Sequence, residues 1–126
     1  MSGTEEEQAA AVIAALNAAG AFAFDVDEMP GKLPAQFTQV TISQRFGGNP
    51  RQTTRSGVTG WRITTRQVGK SVSNARELRK RTHQALEQAV LAVAGETSTP
   101  VAFETADPIG ADDGWYSGLE TWTYVI

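Results

Sequence analysis

The chain contains no cysteine and a single histidine, His83. The first absence excludes a disulfide scaffold, a zinc ribbon, a thiol nucleophile and a CxxC redox site, and it fits a chain that matures in a reducing cytoplasm. The second leaves any Ser–His relay or His-rich metal site only one imidazole. Long apolar runs are missing too. The richest stretch, 9–24, is interrupted by Asn17 and Gly20 and is too short for a membrane span. Ahead of it stand Glu5, Glu6 and Glu7, where an export signal would carry positive charge, so no targeting segment is expected.

The usual chemical signatures are absent as well. There is no GxGxxG or GxSxG, and Gly47-Gly48-Asn49-Pro50 lacks the Gly-Lys-Ser/Thr of a phosphate loop. His83 has no metal-ligand spacing around it and reads as a helix-surface or boundary residue. Asp107, Asp112 and Asp113 lack the rhythm of a calcium loop and read as an acidic surface turn. Asp25, Asp27 and Glu28 read as turn chemistry before Pro30. Neither a catalytic group nor a cofactor is expected.

What is present is a soluble-domain composition: 126 residues, 13.5 kDa, 40% apolar and 20% charged. That length predicts one domain over 1–126, large enough to bury about two-thirds of its unfolded surface without staples. The net charge of −3 conceals a strong segregation. All eleven bases lie between Lys32 and Arg81, with Glu77 as the one acid among them, a local charge of +10. Residues 1–31 carry −6 and residues 82–126 carry −7, with no base in either. Such asymmetry points to a nucleic-acid surface or to complementary flanks on identical subunits; otherwise the segments neutralise each other within one subunit.

Periodicity supplies the elements. Residues 4–19 read as a helix, with Thr4 and Glu7 at capping-box spacing and Gly20 as its stop. Phe22, Phe24 and Val26 form a short strand. Gln36 to Phe46 alternates cleanly, with Thr38, Val40, Ile42 and Phe46 on one face and Gln39, Thr41, Ser43 and Arg45 on the other. Gly47–Gly57 reads as an exposed loop. A strand over Val58–Val68 points Trp61 and Ile63 inward and Arg62, Thr64 and Arg66 outward. A second helix opens at Ser73-Asn74 and runs to about Ala94, stopping at Gly95. Val101 and Phe103 mark a short strand, and Trp115–Ile126 a long final one. The aromatics Trp61, Trp115, Tyr116, Trp122 and Tyr124 read as sheet core and cross-strand pairs. The order α-β-β-β-α-β-β predicts an α+β two-layer sandwich, two helices packed on one face of a mostly antiparallel sheet.

In length and element order, this pattern resembles the tail terminator (tail-to-head joining) proteins of long-tailed bacteriophages. The residues that carry the likeness are the acidic first helix, Phe22-Ala23-Phe24-Asp25-Val26, and two long strands flanking a glycine- and arginine-bearing loop. Gly60-Trp61-Arg62-Ile63-Thr64-Thr65-Arg66 running through Gly69 into a helix, and the closing Asp112-Asp113-Gly114-Trp115-Tyr116-Ser117-Gly118, complete it. The resemblance implies a virion protein at the head–tail junction, made in the bacterial host's cytoplasm. It implies a ring, hexameric in that family, which caps the tail tube and ends its polymerisation. The implied partners are further copies of the chain, the major tail tube protein, a head–tail connector or stopper protein, and DNA passing through the lumen without sequence recognition; no membrane is involved.

The interface is expected at Arg51 and Arg55 in the loop, Arg45, Arg62 and Arg66 on the wet sheet face, and the basic turn Arg76, Arg79, Lys80 and Arg81. Asp107, Asp112 and Asp113 are the expected complement. Two other readings share these features. One is another neck adaptor or head-completion protein. The other is a small DNA-binding module using the 32–81 surface, opposed by a pI near 5.1, since the acidic flanks would repel a duplex at range.

Overall fold

The computed structural model describes residues 4–46 and 59–126. Helix α1 spans Glu5–Ala18 and begins as its spacing requires: the Thr4 hydroxyl accepts from the Glu7 amide at 3.2 Å, and the Glu7 carboxylate accepts from the Thr4 amide at 3.0 Å. These bonds satisfy two groups that a helix start leaves orphaned. The chain turns at Gly20 and enters β1 (Ala23–Asp25), a 3-10 turn (Val26–Glu28) and β2 (Gln36–Phe46). After β3 (Gly60–Gly69), the approach of Gly69 to α2 (Val72–Leu86) leaves no room for a side chain. A Cβ there would stand 2.7 Å from the Asn74 Cβ and 2.9 Å from the Ala75 nitrogen.

β2, β3 and β8 (Trp115–Val125) form a long antiparallel ladder, with β1 added parallel to β2 and β6 (Ala102–Ala106) closing the far edge, in the order β1-β2-β3-β8-β6. Both helices lie on one face, as the two-layer α+β expectation has it. Thr38, Val40 and Ile42 of β2 and Trp61, Ile63, Thr65 and Gln67 of β3 are buried on that side. Val40, Ile42, Trp61, Ile63, Trp122 and Tyr124 pack against Val12, Leu16 and Leu86 in one core, each large side chain contributing about 1.5–3 kcal/mol by leaving water.

Three boundaries differ from the sequence expectation. α2 is capped by Ser71, whose hydroxyl accepts from the Asn74 amide at 3.1 Å, so it starts a residue or two earlier than Ser73-Asn74. It ends at Leu86, well short of Ala94. Gln88 takes a positive φ of 61°, and its amide donates to the Val101 carbonyl. The helical spacing of Ala89, Val90 and Val93 continues into a small hairpin, β4 (Ala92–Val93) and β5 (Glu96–Thr97), where Val93 is buried and Val90 is exposed. Gly95 is therefore part of a two-residue Ala94-Gly95 turn with both φ positive, which is hairpin chemistry. Likewise 107–114 is more than a turn. Gly110–Asp112 forms β7, paired with β8 through a left-handed Asp113-Gly114 corner.

Candidate functional site

Both helices occupy one face, and among the described residues no helix covers the other face of the sheet. β3 places Arg62, Thr64 and Arg66 on it, half-buried, beside the exposed Thr41, Ser43 and Arg45 of β2. The outward placing of Arg62 and Arg66 is thus met; Arg45 is exposed at the register shift between Gln44 and Phe46, and the Phe46 side chain lies outside the described residues. Arg66 Nη1 donates to Ser117 Oγ at 3.2 Å. Arg62 Nε lies 3.3 Å from a Glu104 carboxylate oxygen, close enough to pair in charge but not aligned as a hydrogen bond. Both partners are solvated, so the pair adds at most about 1 kcal/mol.

Toward the start of β2 the same face becomes apolar. Phe37 and Val68 are buried there. The Trp115 ring meets Phe37 edge-on at 5.6 Å, and the Lys70 ammonium sits 3.6 Å over the Trp115 centroid. Trp115 therefore departs from the sheet core expected for it, because its place in β8 is out of phase with Trp122 and Tyr124. With Leu33, Gln39 and Arg66 these residues line a groove of about 440 Å³. A second cleft, of about 400 Å³, lies at the β1 edge and is acidic, with Glu5, Glu6, Asp25 and Glu28 around Val26.

The basic turn of α2 does not act as a block. Arg76 and Lys80 are exposed on its outer side. Arg81 reaches across to α1, donating to the Gly20 carbonyl at 2.9 Å and to Glu77 at 3.2 Å. Arg79 turns inward, under the sheet. Asp107 and Asp113 are exposed near the β7 hairpin, and Asp112 lies in β7. Arg51 and Arg55 fall outside the described residues.

The inward turn of Arg79 leads to a buried polar cluster that the sequence reading missed. Glu120, 1% exposed, accepts from Gln67 Nε2 at 3.1 Å and meets His83 Nε2 at 2.6 Å. Arg79 Nε donates to Gln67 Oε1 at 3.3 Å and lies 3.8 Å from the Glu120 carboxylate. Gln67 also donates to Thr65 at 2.9 Å, and Thr82 donates to the Leu78 carbonyl. The signal was available: Glu120 is in phase with Trp122 and Tyr124, so a buried face had to accommodate a carboxylate. His83, 32% exposed, is the boundary residue expected. The cluster is packed between α2 and the sheet and holds the helix in place. Among the described residues no group of three or more His, Asp or Glu side chains is placed to hold a metal ion, and no helix is long and apolar enough to cross a membrane.

No family model matches this chain, and no curated protein matches it. Solved structures do. The chain is similar in fold to one from the virion of a native gene transfer agent particle. The superposition has a TM-score of 0.73 and covers 95% of this chain and 94% of the other, at 14% sequence identity. The likeness is therefore one of whole folds, end to end, with the sequences far diverged.

Proposed function

We propose that this chain is a structural virion protein, a tail terminator that forms a ring at the head–tail junction of a long-tailed phage or a related particle. The ring, hexameric as in the tail terminators the sequence resembles, caps the tail tube, ends its growth and joins it to the connector or stopper of the head. DNA passes through its lumen. The observation that carries this reading is the end-to-end fold likeness to a chain of a virion particle. It is joined by the element order and charge segregation of the sequence. Arg45, Arg62 and Arg66 on the helix-free sheet face support the reading as one side of the subunit contact, for which Asp107 and Asp113 are the proposed complement.

The test is molar mass by light scattering across a concentration series at low and high salt, with negative-stain images of the same fractions, and labelling of the chain in purified particles. A hexamer-sized ring that loosens with salt, and label at the head–tail joint, are the expected results. A monomer at every concentration together with absence of the chain from particles overturns the proposal. Label elsewhere in the neck, with cross-links to head-completion proteins alone, moves the chain to the adaptor reading.

A further inference from the structure

We propose that the aromatic groove on the helix-free sheet face is the seat for a second copy of this chain, which enters it with the rim formed by Phe103, Asp107 and Pro108. The inference rests on the ring reading above and specifies how one subunit meets the next. Leu33 at the groove and Phe103 at the rim are two of the few large apolar side chains left exposed, at 41% and 42%. Phe103 rests one side of its ring on Trp122 and His83 and leaves the other in water. A contact between copies would take both out of water.

Charge agrees with shape. The groove is flanked by Arg66 and by the Lys70 ammonium over Trp115. The rim carries the exposed carboxylate of Asp107 beside the exposed Pro108. An acidic, partly apolar edge meeting a basic, aromatic groove is complementary in both properties, and the charge term sets register and partner choice.

Placement decides what such a contact builds. The groove lies on the helix-free face, across β2, β3 and the start of β8. Phe103 lies on the helix side, its ring 5.2 Å from His83 and 5.1 Å from Trp122. Asp107 follows at the same sheet edge, its amide donating to the Leu119 carbonyl at 2.8 Å. β6 is also the far edge strand from β1 and β2. Phe103 and the groove therefore lie on opposite faces of one subunit, with Phe103 on the edge strand, so the contact is head-to-tail. Repeated about an axis whose rotation divides a full turn, such a contact closes a ring.

The absence of cysteine makes a direct test available. Leu33→Cys and Phe103→Cys are introduced singly and together, with circular dichroism to confirm folding, and each protein is oxidised under the conditions in which the wild-type chain assembles. The double variant is expected to give a covalent ladder rising to the full ring, whereas each single variant stops at a dimer or does not link. In parallel, Asp107→Lys and Arg66→Glu are each expected to raise the dissociation concentration on the order of tenfold or more, and the combined variant to recover most of that loss. Rings by light scattering without a ladder in the double variant overturn this contact and leave the ring reading intact. A wild-type chain that forms no ring, alone or in particles, overturns both. Cross-linking of Leu33→Cys to a different virion protein in purified particles gives the groove another occupant and also overturns the proposal.

Discussion

At position 120 the chain sets a carboxylate on the strand face that otherwise buries Trp122 and Tyr124. The cost of desolvating that charge is met by His83, Gln67 and Arg79 converging on it, an arrangement that tolerates the loss of no single member. Glu120→Ala leaves Gln67, Arg79 and His83 without their shared acceptor and is expected to destabilise the fold by about 1–3 kcal/mol in urea titrations. A loss under about 1 kcal/mol would mean that the cluster is solvated. Tyr124 provides a second residue-scale prediction. Its hydroxyl donates to Gln8 at 2.5 Å in the core, and burial pushes its pKa well above the ordinary value of 10.0. Above pH 10 the unfolded chain releases this proton while the folded chain keeps it. The stabilisation is thus complete below that pH and is lost as pH rises, with a slope of up to about 1.4 kcal/mol per pH unit. Tyr124→Phe should remove this component of the alkaline slope; an unchanged slope would assign it to other groups.

Among the elements, β1 shows how a short edge strand is held. Its outer side is closed by the Asn17 amide of α1, which accepts from the Ala23 nitrogen at 2.7 Å and donates to the Ala23 carbonyl at 3.2 Å, so a side chain stands where a further strand would pair. Asn17→Ala strands two backbone groups of a residue only 3% exposed and is expected to cost about 1–3 kcal/mol. Hydrogen exchange should locate that loss at 21–25; uniform loosening of the sheet would contradict it. Elements of this kind mark where the sequence was legible. α1 and the strands β2, β3 and β8 announce themselves because cap spacing and two-residue alternation are local signals. The end of α2 is not local. Ala89, Val90 and Val93 keep helical spacing, and bonds to chain ten or so residues further on, Gln88 to Val101, Val101 to Ala89 and Ser98 to Leu91, hold them out of the helix. β7 was within reach, since Asp113-Gly114 is a strong hairpin pair. Of the candidate site, the basic sheet face could be read from alternation. The aromatic groove could not, because it joins Leu33, Phe37 and Trp115 from three separate segments.

At the scale of the whole molecule, folding only partly neutralises the charge segregation of the sequence. Between the segments Arg79 meets Glu120 inside the fold and Arg62 meets Glu104 at the surface, and the second is an exposed pair of small worth. Arg76 and Lys80 point outward from α2, and Glu5 and Glu6 from the start of α1. A ring built on the sheet face depends unequally on these sites. Arg62→Glu with Arg66→Glu places two acids on the surface proposed to receive the acidic rim of the next copy, where like charges in a partly dry contact repel strongly. Glu5→Lys with Glu6→Lys changes net charge by the same amount in the opposite sense, at a helix start that lines the cleft at the β1 edge and not the groove, and leaves the Thr4–Glu7 capping box in place. The first pair is therefore expected to weaken ring formation on the order of tenfold or more, and the second to change it little beyond the screening shared by all surface charge. Light scattering at two salt concentrations reads both, with thermal melting to confirm that each variant folds. Equal effects of the two pairs would mean that assembly responds to net charge alone, and would remove the sheet face from the interface.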